Sequence, residues 1–242
     1  MPTGFHLFGP IHLAILAAVP ALAGLLTVLH RRLPAGSRSV HLALAAALLL
    51  DSAMYYGYQA YRGQLTFPDH LPLELCDFSL YLTIFALFTL NKTAFDLAYY
   101  WALAGATMAM LTPNLLEPFP SYGSIQFFVA HGLTIVGVLY LAWSGEARPQ
   151  RGSVLRAMAV LNLVAAADGV FDSIFRTDYM YLRAKPQNAS LLDLLGPWPW
   201  YILATEFVAG GLFLLLSLPF RGRAYRVREM VPAMPEDGSE VG

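Results

Sequence analysis

The sequence is poor in charge and almost without cysteine. Lys, Arg, Asp and Glu make up 13% of its 242 residues, against roughly 25% in an average soluble domain. Fifteen basic residues are balanced by sixteen acidic ones, for a net charge of -1, so no basic field exists to hold nucleic acid. A single cysteine, Cys76, excludes an intramolecular disulfide and any cysteine-rich zinc or iron–sulfur centre. No stretch alternates apolar and polar residues with period two, which argues against a β-barrel. Hydrocarbon is what the chain has in excess: 57% of residues are hydrophobic and the mean hydropathy is +0.53. A soluble fold of this size cannot hide that much apolar surface, so the solvent for most of the chain is lipid.

Seven apolar runs recur, Phe8–Leu29, Ser39–Tyr61, Pro72–Leu90, Ala94–Thr112, Gly123–Trp143, Val154–Phe175 and Trp198–Phe220. Each is near the ~20 residues a helix needs to cross the hydrocarbon. The predicted fold is all-α, a polytopic bundle of seven transmembrane helices. Residues 1–7 form a short N-terminus, 8–220 the membrane domain and 221–242 a solvated tail. Met1–Leu7 carries no Lys or Arg and no cleavage pattern follows the first run, so that run is read as a span rather than a signal peptide. With seven spans, Arg31, Arg32, Arg38, Lys92, Arg148, Arg151, Arg156, Arg221, Arg223, Arg226 and Arg228 collect on one side. Arg62, Arg176, Arg183 and Lys185 fall on the other. That asymmetry predicts an N-terminus outside and a C-terminus in the cytoplasm.

Ionisable groups inside spans are costly, and their depths are informative. Counted from the outer end of each span, Cys76 and His12 lie about 6 Å deep and Asp172 about 5 Å. His131, Glu206 and Asp168 lie at roughly 11–12 Å and Asp51 at about 15 Å. Six helices therefore bring such side chains to the same half of the membrane, which predicts a polar cavity opening outward. In the inner half, Asp96 is expected to pair with Lys92 and Arg156 to snorkel. Helical spacing gives Cys76, Ser79 and Thr83 one stripe, Ser124, His131 and Thr134 another, and Asp51, Tyr55, Tyr58 and Arg62 a third.

Cys76 and His131 are the one strong nucleophile–base pair these positions offer. A thiolate is the attacking species, an imidazole can take the thiol proton, and a carboxylate behind the imidazole would fix its tautomer. Asp51, Asp168, Asp172 and Glu206 are all open for that third role. Pro72 is expected to begin the third helix, placing Cys76 about one turn inside its positive end, with Asp77 opposing that field. A thioester formed at the depth of lipid esters points to acyl chemistry. A metal site of Cys76, His131, Asp168 and Glu206 ranks lower because no ligand motif supports it, and no metal or cofactor is expected. A proton- or ion-coupled transporter using the buried carboxylates is the rival class, although no inverted repeat accompanies it. A non-catalytic scaffold is the third. Plainer readings stand beside each residue: Cys76 as small packing residue, His131 as a cross-helix hydrogen bonder, His12 as an interfacial residue, Trp198 and Trp200 as an aromatic belt. Asn188-Ala189-Ser190 matches a glycosylation acceptor, a tripeptide common by chance. The long segment from Arg176 to Pro197 is expected to be a lid or binding element, with Arg183 and Lys185 holding a phospholipid phosphate.

LPLELCDFSL (71–80), FDLAYYWALAGATMAMLTP (95–113), IQFFVAHG (125–132) and DYMYLRAKPQNASLLDLLGPWPWYI (178–202) resemble the YwaF-type bacterial integral membrane proteins, relatives of the eukaryotic transmembrane protein 164. The resemblance covers nearly all the chain outside its termini. It implies a seven-helix bundle in a bacterial cytoplasmic membrane. It also implies an acyltransferase that moves a fatty acyl chain between membrane phospholipids through an acyl-cysteine. The cysteine and histidine map onto Cys76 and His131. The chain also looks distantly similar to the androgen-induced membrane lipid hydrolases, whose nucleophile is threonine, so a lipid hydrolase is a further alternative. Within the motif the chain departs at Glu74, where histidine is usual.

Overall fold

Each apolar run folds as a helical rod, because a chain in hydrocarbon must satisfy its backbone hydrogen bonds within itself. The computed structural model describes residues 5–33, 36–115, 117–186 and 190–220; Asn188, Ala189 and the tail 221–242 lie outside them. The elements are α1 (Pro10–Arg32), α2 (Ser37–Tyr61), α3 (Leu75–Thr89) and α4 (Lys92–Trp101). A π-helical turn (Ala102–Ala106) carries α4 directly into α5 (Thr107–Leu111), and α6 (Tyr122–Ser144), α7 (Ser153–Phe175) and α8 (Trp200–Ser217) complete the bundle. Counting α4, the π turn and α5 as one rod gives seven, with no strand among the described residues. Five of the helices, α1, α2, α6, α7 and α8 with its 3-10 extension, are long and apolar enough to cross a membrane.

The helix α6 is the axis of the bundle. It packs against α1, α2, α3 and the α4–α5 rod, while α7 lies on α4 and α8 on α7 and the π turn. The core follows from this arrangement: Phe95, Tyr100, Trp101, Val136, Val138, Tyr140 and Leu141 are essentially inaccessible. The outer faces are the reverse of a soluble protein. Ile11 and Leu25 on α1, Leu163, Val170 and Ile174 on α7, and Phe207 and Leu215 on α8 are all more than half exposed, an apolar shell suited to lipid tails.

Hydrogen bonds fix the helix directions. Ser52 Oγ lies 3.0 Å from Tyr81 Oη, and Arg38 donates to the Phe88 carbonyl at 2.8 Å, so α2 and α3 are antiparallel. Gln126 donates to Asp51 at 2.9 Å and the His41 ring lies 5.5 Å from that of Tyr140, so α2 and α6 are antiparallel as well. Consequently α3 and α6 run parallel. Their close approach needs a glycine: a Cβ on Gly137 would lie 2.8 Å from Thr83 Cγ2.

Arg156 and His12 are not placed as expected. Asp96 and Arg156 bind each other, Nη1 to Oδ2 at 2.6 Å, because α7 lies on α4 and brings the guanidinium within reach. His12 is not an interfacial residue but is fully buried. Its Nδ1 accepts the Phe8 N–H at 2.9 Å and its Nε2–H donates to the Met110 carbonyl at 2.8 Å. That carbonyl sits at the end of α5, where no further turn of helix can satisfy it. His12→Ala would orphan a buried acceptor and open a gap beside Phe5 and Phe128. A loss of about 2–3 kcal/mol is expected, read as a lower midpoint of thermal unfolding in detergent. An unchanged midpoint would show that the contact carries little.

Candidate active site

The α3 N-terminus begins later than the sequence implies. Glu74, in extended backbone, is the N-cap, and the Asp77 carboxylate accepts the Glu74 N–H at 3.1 Å. This closure starts the helix at Leu75 rather than near Pro72, and makes Cys76 its second residue. At that position the backbone N–H groups have no helical carbonyl partner, and the positive end of the peptide dipoles is closest. Asp77 is engaged with the cap, although it remains within electrostatic range of the thiol.

Cys76 is partly buried and free. Groups within electrostatic range of its sulfur include Glu74 and Asp77 on either side of it, Tyr55 on α2, and Tyr181 in the segment between α7 and α8. That segment is clasped against the α3 entry. The Met180 N–H donates to Glu74 at 3.0 Å, the Leu71 N–H donates to Tyr179 Oη at 2.9 Å, and Tyr179 Oη donates to the Pro68 carbonyl at 2.7 Å. Asn114 donates to Tyr181 Oη at 3.2 Å. Burial pushes the Tyr181 phenol above its ordinary range, the Asn114 bond opposing and the nearby Glu74 adding to the shift. It therefore stays a neutral donor near the thiol.

His131 stands on α6 at the level of Cys76. Thr83 meets Gly137; Cys76 lies about 10 Å back from Thr83, and His131 about 9 Å back from Gly137 in the same direction. The histidine is 9% exposed. Its Nδ1 lies 2.7 Å from the Phe127 carbonyl, and since a carbonyl only accepts, Nδ1 carries the proton and Nε2 is the basic nitrogen. The Phe127 ring stacks on the imidazole with centroids 4.2 Å apart. Backbone and aromatic ring thus hold the tautomer, in the place where a carboxylate was expected.

Three of the four candidate carboxylates, Asp51, Asp172 and Glu206, are held by other groups. Asp51 accepts from Gln126 at 2.9 Å across the α2–α6 seam. Asp172 Oδ1 accepts from Thr177 Oγ1 at 2.6 Å and from the Tyr179 N–H at 3.1 Å, closing the α7 C-terminus. Asp168, one turn away, is buried, and it and Asp172 each keep one buried oxygen without a partner. Glu206 accepts from Asn162 at 2.9 Å on the outer α7–α8 face. Among the described residues no three His, Cys, Asp or Glu side chains group as metal donors, so the set Cys76, His131, Asp168 and Glu206 is not assembled. Arg183 donates to the Asp172 and Thr177 carbonyls at 3.1 and 3.3 Å. Lys185 lies 3.9 Å from Asp193 and over the Tyr201 ring at 5.4 Å. Trp198 and Trp200 are 60% and 65% exposed, as interfacial anchors are.

A model of the TMEM164 family matches residues 7–217. The chain belongs to the TMEM164 family. No curated protein and no solved structure matches it. The span matched runs from the start of α1 to the end of α8, so the whole helical bundle is the family's unit, and this TMEM164-family chain is a multi-pass integral membrane protein. Glu74, Tyr55 and Tyr181 are the neighbours of Cys76 that sequence reasoning missed as site residues. Tyr55 had a signal, its place on the polar face of α2. Tyr181 had none, because its approach depends on how the segment after α7 folds back.

Proposed function

We propose that the protein is an intramembrane phospholipid acyltransferase working through an acyl-cysteine. The observation that carries this reading is the pairing of levels: a thiol at a helix N-terminus, and a buried imidazole whose free nitrogen is the basic one. His131 Nε2 takes the Cys76 thiol proton as the sulfur attacks the ester carbonyl of a phospholipid. The C–S bond forms and the carbonyl becomes an oxyanion, for which the Cys76 N–H in the first turn of α3 is the proposed donor. Collapse breaks the ester C–O bond, and His131 returns the proton to the departing lysophospholipid hydroxyl. An acceptor lysophospholipid then gives its proton to His131, attacks the thioester and regenerates the thiol; water in its place would make the protein a hydrolase. Arg183 and Lys185 are the proposed phosphate contacts.

The reading is tested on purified protein given a phospholipid donor with no other enzyme present. A hydroxylamine-labile acyl adduct should appear, and mass spectrometry should place it on the peptide carrying Cys76; its absence with every donor would end the proposal.

The bundle is proposed to have seven spans, with α3 and the α4–α5 rod crossing alongside the five longer helices, in a bacterial cytoplasmic membrane of the YwaF type. The N-terminus lies outside, which puts Cys76 in the outer half. Reporter fusions at Gly145 and at Gly242 should both read cytoplasm. An extracytoplasmic signal at Gly242 would reverse the assignment.

A carrier is the second reading, favoured by the unpartnered oxygens of Asp168 and Asp172. A carrier would lose function in Asp168→Asn or Asp172→Asn and tolerate Cys76→Ser; the transferase should show the opposite for Cys76.

A further inference from the structure

A cavity of about 280 Å³ lies between α1, the α4–α5 rod and α6. Of the side chains that line it, Thr107 alone is polar. A held water needs two to four polar partners, and a headgroup needs more, so neither suits this space. Hydrocarbon does.

Two of its walls are departures from regular helix. On α1, Leu16 and Pro20 both line the cavity; proline has no N–H, so the Leu16 carbonyl goes without its bond from four residues on. On the facing rod, Leu103 lies in the π turn and Thr107 directly after it. Such turns insert a residue and are frequent at functional sites. Opposed irregularities of this kind keep two helices from closing over the space between them.

The third wall links the cavity to the chemistry. Ile135 lines it and follows His131 by four residues, which puts the two on one face of α6 a turn apart. Leu139 lines it a further turn along. The α6 wall of the cavity therefore begins one helical turn beyond His131 and continues away from the level of Cys76 into the bundle. From Leu111 to Leu103 it extends about 12 Å along the rod, a path suited to a chain rather than a compact ligand.

We propose that this cavity between α1, the π turn and α6 binds the acyl chain of the lipid whose ester Cys76 attacks, an inference that rests on the acyl-cysteine reading. The ester carbonyl sits at the level of Cys76 and His131, and the tail runs past Ile135 toward Leu139. The cavity then sets which chain lengths are transferred.

Two variants narrow it from different walls, Leu139→Trp on α6 and Thr107→Phe on the rod. Acyl loading of purified full-length protein is compared between dipalmitoyl and dioctanoyl phosphatidylcholine. Each variant should lower the ratio of long- to short-chain loading about tenfold, as expected if roughly two methylenes lose their place. Normal loading with an unchanged ratio in both would overturn the cavity assignment and leave the acyl-cysteine reading intact. A binding measurement independent of transfer uses the Cys76→Ala protein and a phosphatidylcholine with a diazirine on its palmitoyl chain. Photocrosslinks should concentrate on residues 16–20 and 103–111 and be displaced by Leu139→Trp. Crosslinks there without any thioester in the native protein would keep the chain site and end its link to Cys76. Crosslinks spread evenly over the exposed faces of α7 and α8 would mean bulk lipid and would overturn the proposal.

Discussion

Cys76→Ala should abolish hydroxylamine-labile acylation and phospholipid turnover together, and His131→Ala should slow acyl loading by roughly a hundred- to ten-thousand-fold, the usual contribution of a positioned acid–base group. The two effects differ in kind. Without the sulfur no thioester can form, so no residual adduct is expected whatever the donor. Without the imidazole the thiol remains, and the small thiolate fraction present in water-accessible states can still react slowly. The histidine variant also separates catalysis from ordinary palmitoylation of a membrane cysteine. A cysteine modified by a separate enzyme has no need of His131, and would not be modified in a purified system. Because Nδ1 is held by the Phe127 carbonyl rather than by an acid, Asp51→Asn and Glu206→Gln should load normally. Loss of loading in either would mean that a carboxylate reaches the imidazole during turnover. Normal phospholipid turnover in Cys76→Ala would end the covalent mechanism.

Asp96→Ala should cost about 3 kcal/mol of stability without changing loading per folded molecule. Asp96 is completely buried on α4, and its carboxylate gathers three donors. The Gln150 backbone N–H and side-chain amide each lie at 3.1 Å, and the Arg156 guanidinium at 2.6 Å. Removing the acceptor breaks a buried ionic pair, for which losses of about 3–5 kcal/mol are typical. Arg156 is 36% exposed and can turn toward water, which places the expected cost at the low end. The network lies at the opposite end of α4 from the cavity and the thiol, so activity should fall only with the folded fraction. Thermal unfolding in detergent, read beside loading normalised to folded protein, checks both halves. An Asp96→Ala protein as stable as the native one would show that Gln150 and Arg156 are satisfied by solvent.

The rods were legible because hydropathy is a local property. The structural helices agree with the apolar runs to within about three residues at every end, and the largest misreading at the site, the start of α3, arose where a side chain decided it. Pro72 looked like a first-turn residue, but the Asp77 carboxylate closes the turn on Glu74 instead. Two of the three polar stripes face inward, with Ser79, Thr83, Ser124 and Thr134 buried, whereas the stripe on α2 is only partly covered and ends at the exposed Arg62.

Composition and the spacing of the apolar runs therefore determined the class and the number of helical rods, since both depend only on properties local to one helix. What neighbours each side chain was left to the tertiary structure. Helical spacing fixes which residues share a face but not the direction in which that face points, and that rotation is set by packing against other helices. Gly137 lets Thr83 approach and so brings Cys76 and His131 level. The fold of α7 onto α4 gives Asp96 to Arg156, and the return of the α7–α8 segment gives Glu74 to Met180. The imidazole found a backbone carbonyl one turn away rather than any of four carboxylates, because a partner on its own helix is in reach whatever the other helices do.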